Sequence, residues 1–171
     1  MKKYFQFSET ISGTNYFLRL LFVILLSVPG IIVFISFFAN YLTSSGLVDF
    51  TDPSFDQTAF QESIQENPEE FMDTMLSSIT SNWIIALTIS FVPAIWFSLA
   101  SSYKRISALF FENRKNIFAI YVGFELISNA NGLGILPILS FLKTPFSIIS
   151  IVITLFLVFQ NSEIDKDDHE G

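Results

Sequence analysis

Between Thr74 and Tyr103 the chain carries no charged side chain, and within the next twelve positions come Lys104, Arg105, Arg114 and Lys115. An uncharged run of about 30 residues extends ~45 Å as a helix, against a bilayer core of ~30 Å. No other feature constrains the chain as much. A long apolar helix followed by a basic loop predicts an all-α, polytopic membrane protein and fixes its orientation, because short cytoplasmic loops collect Lys and Arg.

A second run, Leu20 to Leu42, is also free of charge. It exceeds the ~7–15 residues of a secretory apolar region, so a retained first membrane helix is expected over 17–43 behind a cytoplasmic lead, 1–16. Pro29-Gly30 lies in its middle, and Tyr16 and Tyr41 lie near its ends, where aromatic residues favour the headgroup layer. Composition agrees: 15% of residues are charged and 21 are Phe, with mean hydropathy +0.53. Soluble domains carry about 25% charge.

Residues 44–82 differ in kind. They hold eight acids (Asp49, Asp52, Asp56, Glu62, Glu66, Glu69, Glu70 and Asp73) and no Lys or Arg. Asp52-Pro53 and Asn67-Pro68-Glu69-Glu70 mark two helix starts, the second with a capping-box pattern. After it, Phe71, Met72, Met75, Leu76 and Ile79 form one apolar face, so a short amphipathic helix is expected in an extracytoplasmic acidic loop. The second span follows at 83–102. Its Ala86, Ser90, Ala94, Ser98 and Ser102 recur every four positions, a small-residue face on which another helix can pack closely.

A basic cytoplasmic loop is expected over 103–116, where Lys104, Arg105, Arg114 and Lys115 set topology or meet lipid headgroups. Residues 117–142 make a third span, broken near 129–134 by Asn129-Ala130-Asn131-Gly132-Leu133-Gly134. A fourth span, 146–160, precedes a disordered acidic tail, 161–171. With four spans both termini lie in the cytoplasm.

Two stretches resemble a bacterial inner-membrane family, domain-of-unknown-function family 805. Phe5-Gln6-Phe7-Ser8-Glu9-Thr10-Ile11-Ser12-Gly13-Thr14-Asn15-Tyr16-Phe17 is similar to its pattern F-x-F-x-G-R-x-[ST]-R-x-x-[YF]-[WF]. Glu9 stands in place of the glycine, and Thr10 and Gly13 in place of the arginines. Lys104-Arg105-Ile106 is similar to the start of its R-R-L-H-D, with Ser107-Ala108 in place of His-Asp. The resemblance implies a small helical inner-membrane protein with both stretches in the cytoplasm, and implies no activity.

Candidates for chemistry are few. There is no Cys and one His, His169, so no metal or other cofactor is expected, and no basic surface points to nucleic acid. No nucleophile–base pairing or phosphate loop is apparent, and an enzyme is not expected. Glu125 is the one carboxylate inside an expected span, and an ionisable group there is a functional candidate. Asn129 and Asn131 are further polar candidates in the same span. The reading is a non-enzymatic accessory subunit in the bilayer, partnered by another membrane protein or by its own copies. The alternative is a small transporter or channel component that uses Glu125.

Overall fold

The computed structural model describes residues 2–46, 48, 67–132 and 137–162. Among them all regular structure is helical. Five α-helices follow in order: α1 (Gly13–Ser44), α2 (Pro68–Ser77), α3 (Ser81–Leu109), α4 (Arg114–Gly132) and α5 (Lys143–Phe159). Short 3₁₀ helices occupy Lys2–Phe5 and Pro137–Leu142. Among the described residues, α1 (32 residues) and α3 (29 residues) are both long and apolar enough to cross a membrane. The 17 residues of α5 are apolar but shorter.

Local chemistry explains the ends. Ser12 starts α1: its Oγ accepts from the Asn15 N–H at 3.3 Å, and its carbonyl accepts from Tyr16 N–H at 2.9 Å. Gly46 ends it with φ +71°, a left-handed conformation cheap only for glycine. The chain then turns back so that Val48 N–H donates to the Leu42 carbonyl. Pro68 opens α2 at a position where its missing N–H costs nothing, with Glu69 and Glu70 in the first turn. The Asn67 side chain makes no capping hydrogen bond, so the expected capping box does not form. The start expected at Asp52-Pro53 lies outside the described residues, as does the tail beyond Ser162.

Two compact units divide the chain. Unit 1 comprises Met1–Leu25 and Ala94–Gly171, and unit 2 comprises Leu26–Pro93. In unit 1 the core is Ile11, Tyr16, Ile106, Leu109 and Leu157, joined by Leu20, Phe118, Tyr121 and Ile153. There α4 and α5 run antiparallel: Phe110, just before α4, stacks on Phe156 near the end of α5, and Glu125 meets Ser150 nearer its start. The residues before α1 fold in as well. Phe5 packs edge-on against Phe97, Phe7 contacts Trp96, Tyr103 and Phe118, and Trp96 Nε1 donates to the Phe5 carbonyl at 3.0 Å. In unit 2, Phe71 and Met75 of α2 cover Tyr41, Leu42 and Val48, and the Trp83 ring lies 4.2 Å from that of Phe37, tilted by 36°.

One expected boundary moves. The basic loop over 103–116 is mostly helix: α3 continues to Leu109, and the turn is confined to residues 110–113. Lys104 and Arg105 are not on a solvated loop because the last turns of α3 are buried. The third helix ends at Gly132, inside the stretch 129–134 where a break is expected, and 133–136 lie outside the described residues; the Asn129 amide donates to the Glu125 carbonyl one turn back, at 2.7 Å. Its 19 residues extend about 28 Å. The separate Pro137–Leu142 turn then leads straight into α5 at Lys143.

Candidate functional site

Unit 1 contains every buried polar or charged residue among those described: Thr10, Arg19, Ser101, Ser102, Lys104, Arg105, Ser107 and Asn131. Arg105 dominates them. It is 1% exposed, and its guanidinium reaches four acceptors from two distant parts of the chain. Nε donates to the Leu157 carbonyl at 2.5 Å, Nη1 to the Ile11 carbonyl at 3.2 Å and to Ser162 Oγ at 2.7 Å, and Nη2 to the Gln160 carbonyl. The carbonyls of Leu157 and Gln160 lie at the C-terminal end of α5, where a helix leaves its acceptors unpaired and its dipole favours a cation. The planar fork of arginine suits several fixed acceptors at once.

Gly13 makes the junction tight. A Cβ there would collide with the Val158 carbonyl oxygen and lie 3.2 Å from Arg105 Nη2. Arg105 therefore ties the lead before α1 to the end of α5. The two stretches 5–17 and 104–106, noted above for their resemblance, meet here in space. The sequence places Lys104 and Arg105 on a basic loop that sets topology or meets lipid headgroups; instead they lie on α3 and are 0% and 1% exposed. Of the other two cations, the Arg114 guanidinium stacks 4.6 Å from the Phe111 ring and Lys115 is exposed.

A row of polar side chains leads away from the junction. Tyr16 Oη and Ser102 Oγ lie 3.4 Å apart, and Ser102 Oγ donates to Tyr121 Oη at 3.4 Å. One turn beyond Tyr121 stands Glu125, whose Oε1 accepts from Ser150 Oγ at 2.8 Å. Three helices and the start of α1 contribute to this row. Glu125 was expected from the sequence; Tyr16 was read only as an interfacial aromatic, and Tyr121 and Ser150 carried no signal. Asn129 is exposed and turned back on its own helix. Asn131 is fully buried, with neither amide atom hydrogen-bonded.

The small-residue face divides along α3. Ala94 and Ser102 are buried, Ser90 and Ser98 half-buried, and Ala86 exposed. Ser90 Oγ donates to the Ala86 carbonyl at 2.7 Å, so its hydroxyl is satisfied within the helix. Among the described residues no three His, Cys, Asp or Glu side chains cluster.

No family model matches the sequence, no curated protein matches it, and no solved structure matches the fold.

Proposed function

We propose that the chain is a four-span helical protein of a bacterial inner membrane, with its N-terminus and the turn at 110–113 in the cytoplasm and residues 44–82 outside. In that membrane it serves as a non-enzymatic accessory or interaction subunit. The observation that carries the membrane reading is the surface of α1. The core helix of a soluble protein is buried, yet Leu21, Ile24, Leu25, Ile31, Ile32, Phe34 and Ile35 are each more than 40% exposed, and only 6% of its most apolar window is buried. Water would not tolerate so large an apolar surface, whereas lipid covers it without cost. Shorter α4 and α5 complete the four spans by pairing with one another.

The partner reading rests on Ala86, where the small-residue face emerges from the fold and leaves room for a second helix. Kinship with family 805 is supported by Glu9: its φ of +66° is left-handed, and it stands where the family carries glycine.

Resistance of the membrane-bound chain to alkaline carbonate tests its integration. Orientation is tested with single cysteines, since the chain has none. An impermeant maleimide should label Ser77→Cys in intact cells and Asn113→Cys only after lysis; the reverse pattern inverts the topology. Mild-detergent purification should yield a co-migrating membrane protein or a defined homo-oligomer, and a monodisperse monomer under all such conditions would sink the partner reading.

The row from Tyr16 through Ser102 and Tyr121 to Glu125 and Ser150 favours a second reading, a proton or cation path. Under the first reading Glu125→Gln keeps the Ser150 contact and leaves cellular function intact, while Glu125→Leu strands the Ser150 hydroxyl at about 1 kcal/mol. A correctly folded Glu125→Gln variant with function abolished would promote the transporter.

A further inference from the structure

Unit 2 contains a groove of about 450 Å³, within the range of small-molecule sites. One wall is a single face of α1. Ile32, Val33 and Phe37 line its inner part, and Ser36, Asn40 and Ser44 follow toward the helix end. The wall thus changes from apolar to polar over about 18 Å of helix. The facing wall is Ser78, Thr80 and Trp83, again with polar side chains toward one end. A surface graded in this way fits an amphiphile.

Hydrogen bonds already present narrow its head. Ser44 Oγ donates to the Tyr41 carbonyl at 3.1 Å and Ser78 Oγ to the Met75 carbonyl at 2.6 Å. Each hydroxyl has one proton, so both oxygens are left to a ligand as acceptors only. The C-terminal end of the α1 dipole adds negative potential. None of the described lining residues is a cation, and Glu69, Glu70 and Asp73 stand exposed on α2 in the same unit. A net negative head has nothing there to neutralise it.

We propose that this groove binds one membrane lipid whose head donates hydrogen bonds and carries no net negative charge, an amine-headed zwitterion, with an acyl chain against Ile32, Val33 and Phe37. The site rests on the membrane reading above, and the test separates the two.

The chain has two tryptophans, so Trp96→Phe leaves Trp83 as the groove's own reporter, and Trp83→Phe leaves half-exposed Trp96 as a reporter of bulk lipid. Both chains are reconstituted at full length in vesicles containing increasing fractions of bromine-labelled phosphatidylethanolamine or phosphatidylglycerol. Trp83 fluorescence should be quenched half-maximally at an about fivefold lower fraction of the ethanolamine lipid, the worth of roughly one net hydrogen bond. Trp96 should show no such preference. Ser36→Leu, which fills the groove, should abolish the preference at Trp83, and so should Asn40→Ala, which removes an exposed amide without adding bulk. Identical curves for the two lipids at Trp83, or a preference for the glycerol lipid, would overturn the site while leaving the membrane reading intact. Absence of quenching at Trp96 by either lipid would overturn the membrane reading itself.

Discussion

The two units solve the problem of apolar helices in opposite ways. Unit 1 buries polar groups and spends hydrogen bonds on them: one arginine holds three carbonyls and a hydroxyl, and a row of tyrosines and serines continues from it. Unit 2 has no buried polar or charged residue among those described, and its buried apolar residues are only Tyr41, Leu42 and Val48. The same helices, α1 and α3, pass through both. What differs is therefore the company each stretch keeps rather than its intrinsic preference. Directional hydrogen bonds fasten the interior of unit 1, whereas the small described interior of unit 2 is held by apolar contact, and both units leave large apolar side chains exposed. The two interiors should then respond differently to substitution.

The largest effect is expected at Arg105. Arg105→Met preserves length and apolar contact but strands buried acceptors, at a cost of about 4 kcal/mol, read as a fall in the thermal midpoint of the detergent-solubilised protein. Arg105→Lys should recover little of it, because a point charge cannot reach acceptors arranged for a fork. Near-normal stability of the Met variant would mean that unit 1 is held by apolar packing alone.

The glycines offer a matched pair. Gly13→Ala in unit 1 drives a methyl group into the Val158 backbone, which cannot move without disturbing the Arg105 junction, so about 2 kcal/mol is expected. Gly30→Ala in unit 2 places the same methyl 2.5 Å from the Phe91 ring, a side chain only half-buried and free to swing. Its cost should stay below about 1 kcal/mol. Equal costs in unfolding measurements would erase the contrast between the units.

Along α3 the same comparison is made with alanine. Ala94→Leu enters a site 3% exposed and should cost about 1–2 kcal/mol, while Ile95→Leu, on a side chain 56% exposed, should be mild. Ala86→Leu should leave the thermal midpoint within about 0.5 kcal/mol and instead reduce recovery of a co-purifying partner. Unchanged recovery would remove Ala86 from the partner surface.

The smallest effect is a gain. Glu9 is exposed, and its left-handed backbone costs a residue with a Cβ about 1 kcal/mol, so Glu9→Gly should raise the thermal midpoint of unit 1 slightly. A loss of stability would mean that the carboxylate makes a contact worth more than the strain.

Much of this arrangement was legible in the residues. Charge-free runs foretold α1 and α3, because hydropathy and length are additive along a chain. Pro68 and its following acids foretold α2, and the isolation of Glu125 in an apolar stretch singled it out. The basic stretch 103–116 was misjudged, because burial at the end of α3 leaves no local mark in the sequence. A cation after an apolar run is ordinarily a solvated topology signal, and nothing near Arg105 in sequence shows four acceptors waiting for it.

By itself, then, the sequence determined helical class, the two long apolar elements and the segregation of acids from bases, all of which follow from local composition and period. Only the tertiary structure decided that Arg105 is an internal tie, that Gly13 permits its approach, and that Tyr16, Ser102 and Tyr121 form a row leading to Glu125. The physical reason is distance along the chain. Ile11, Arg105 and Leu157 are separated by roughly ninety and fifty residues, and a hydrogen bond is specified by where a donor ends up in space, which no local pattern records.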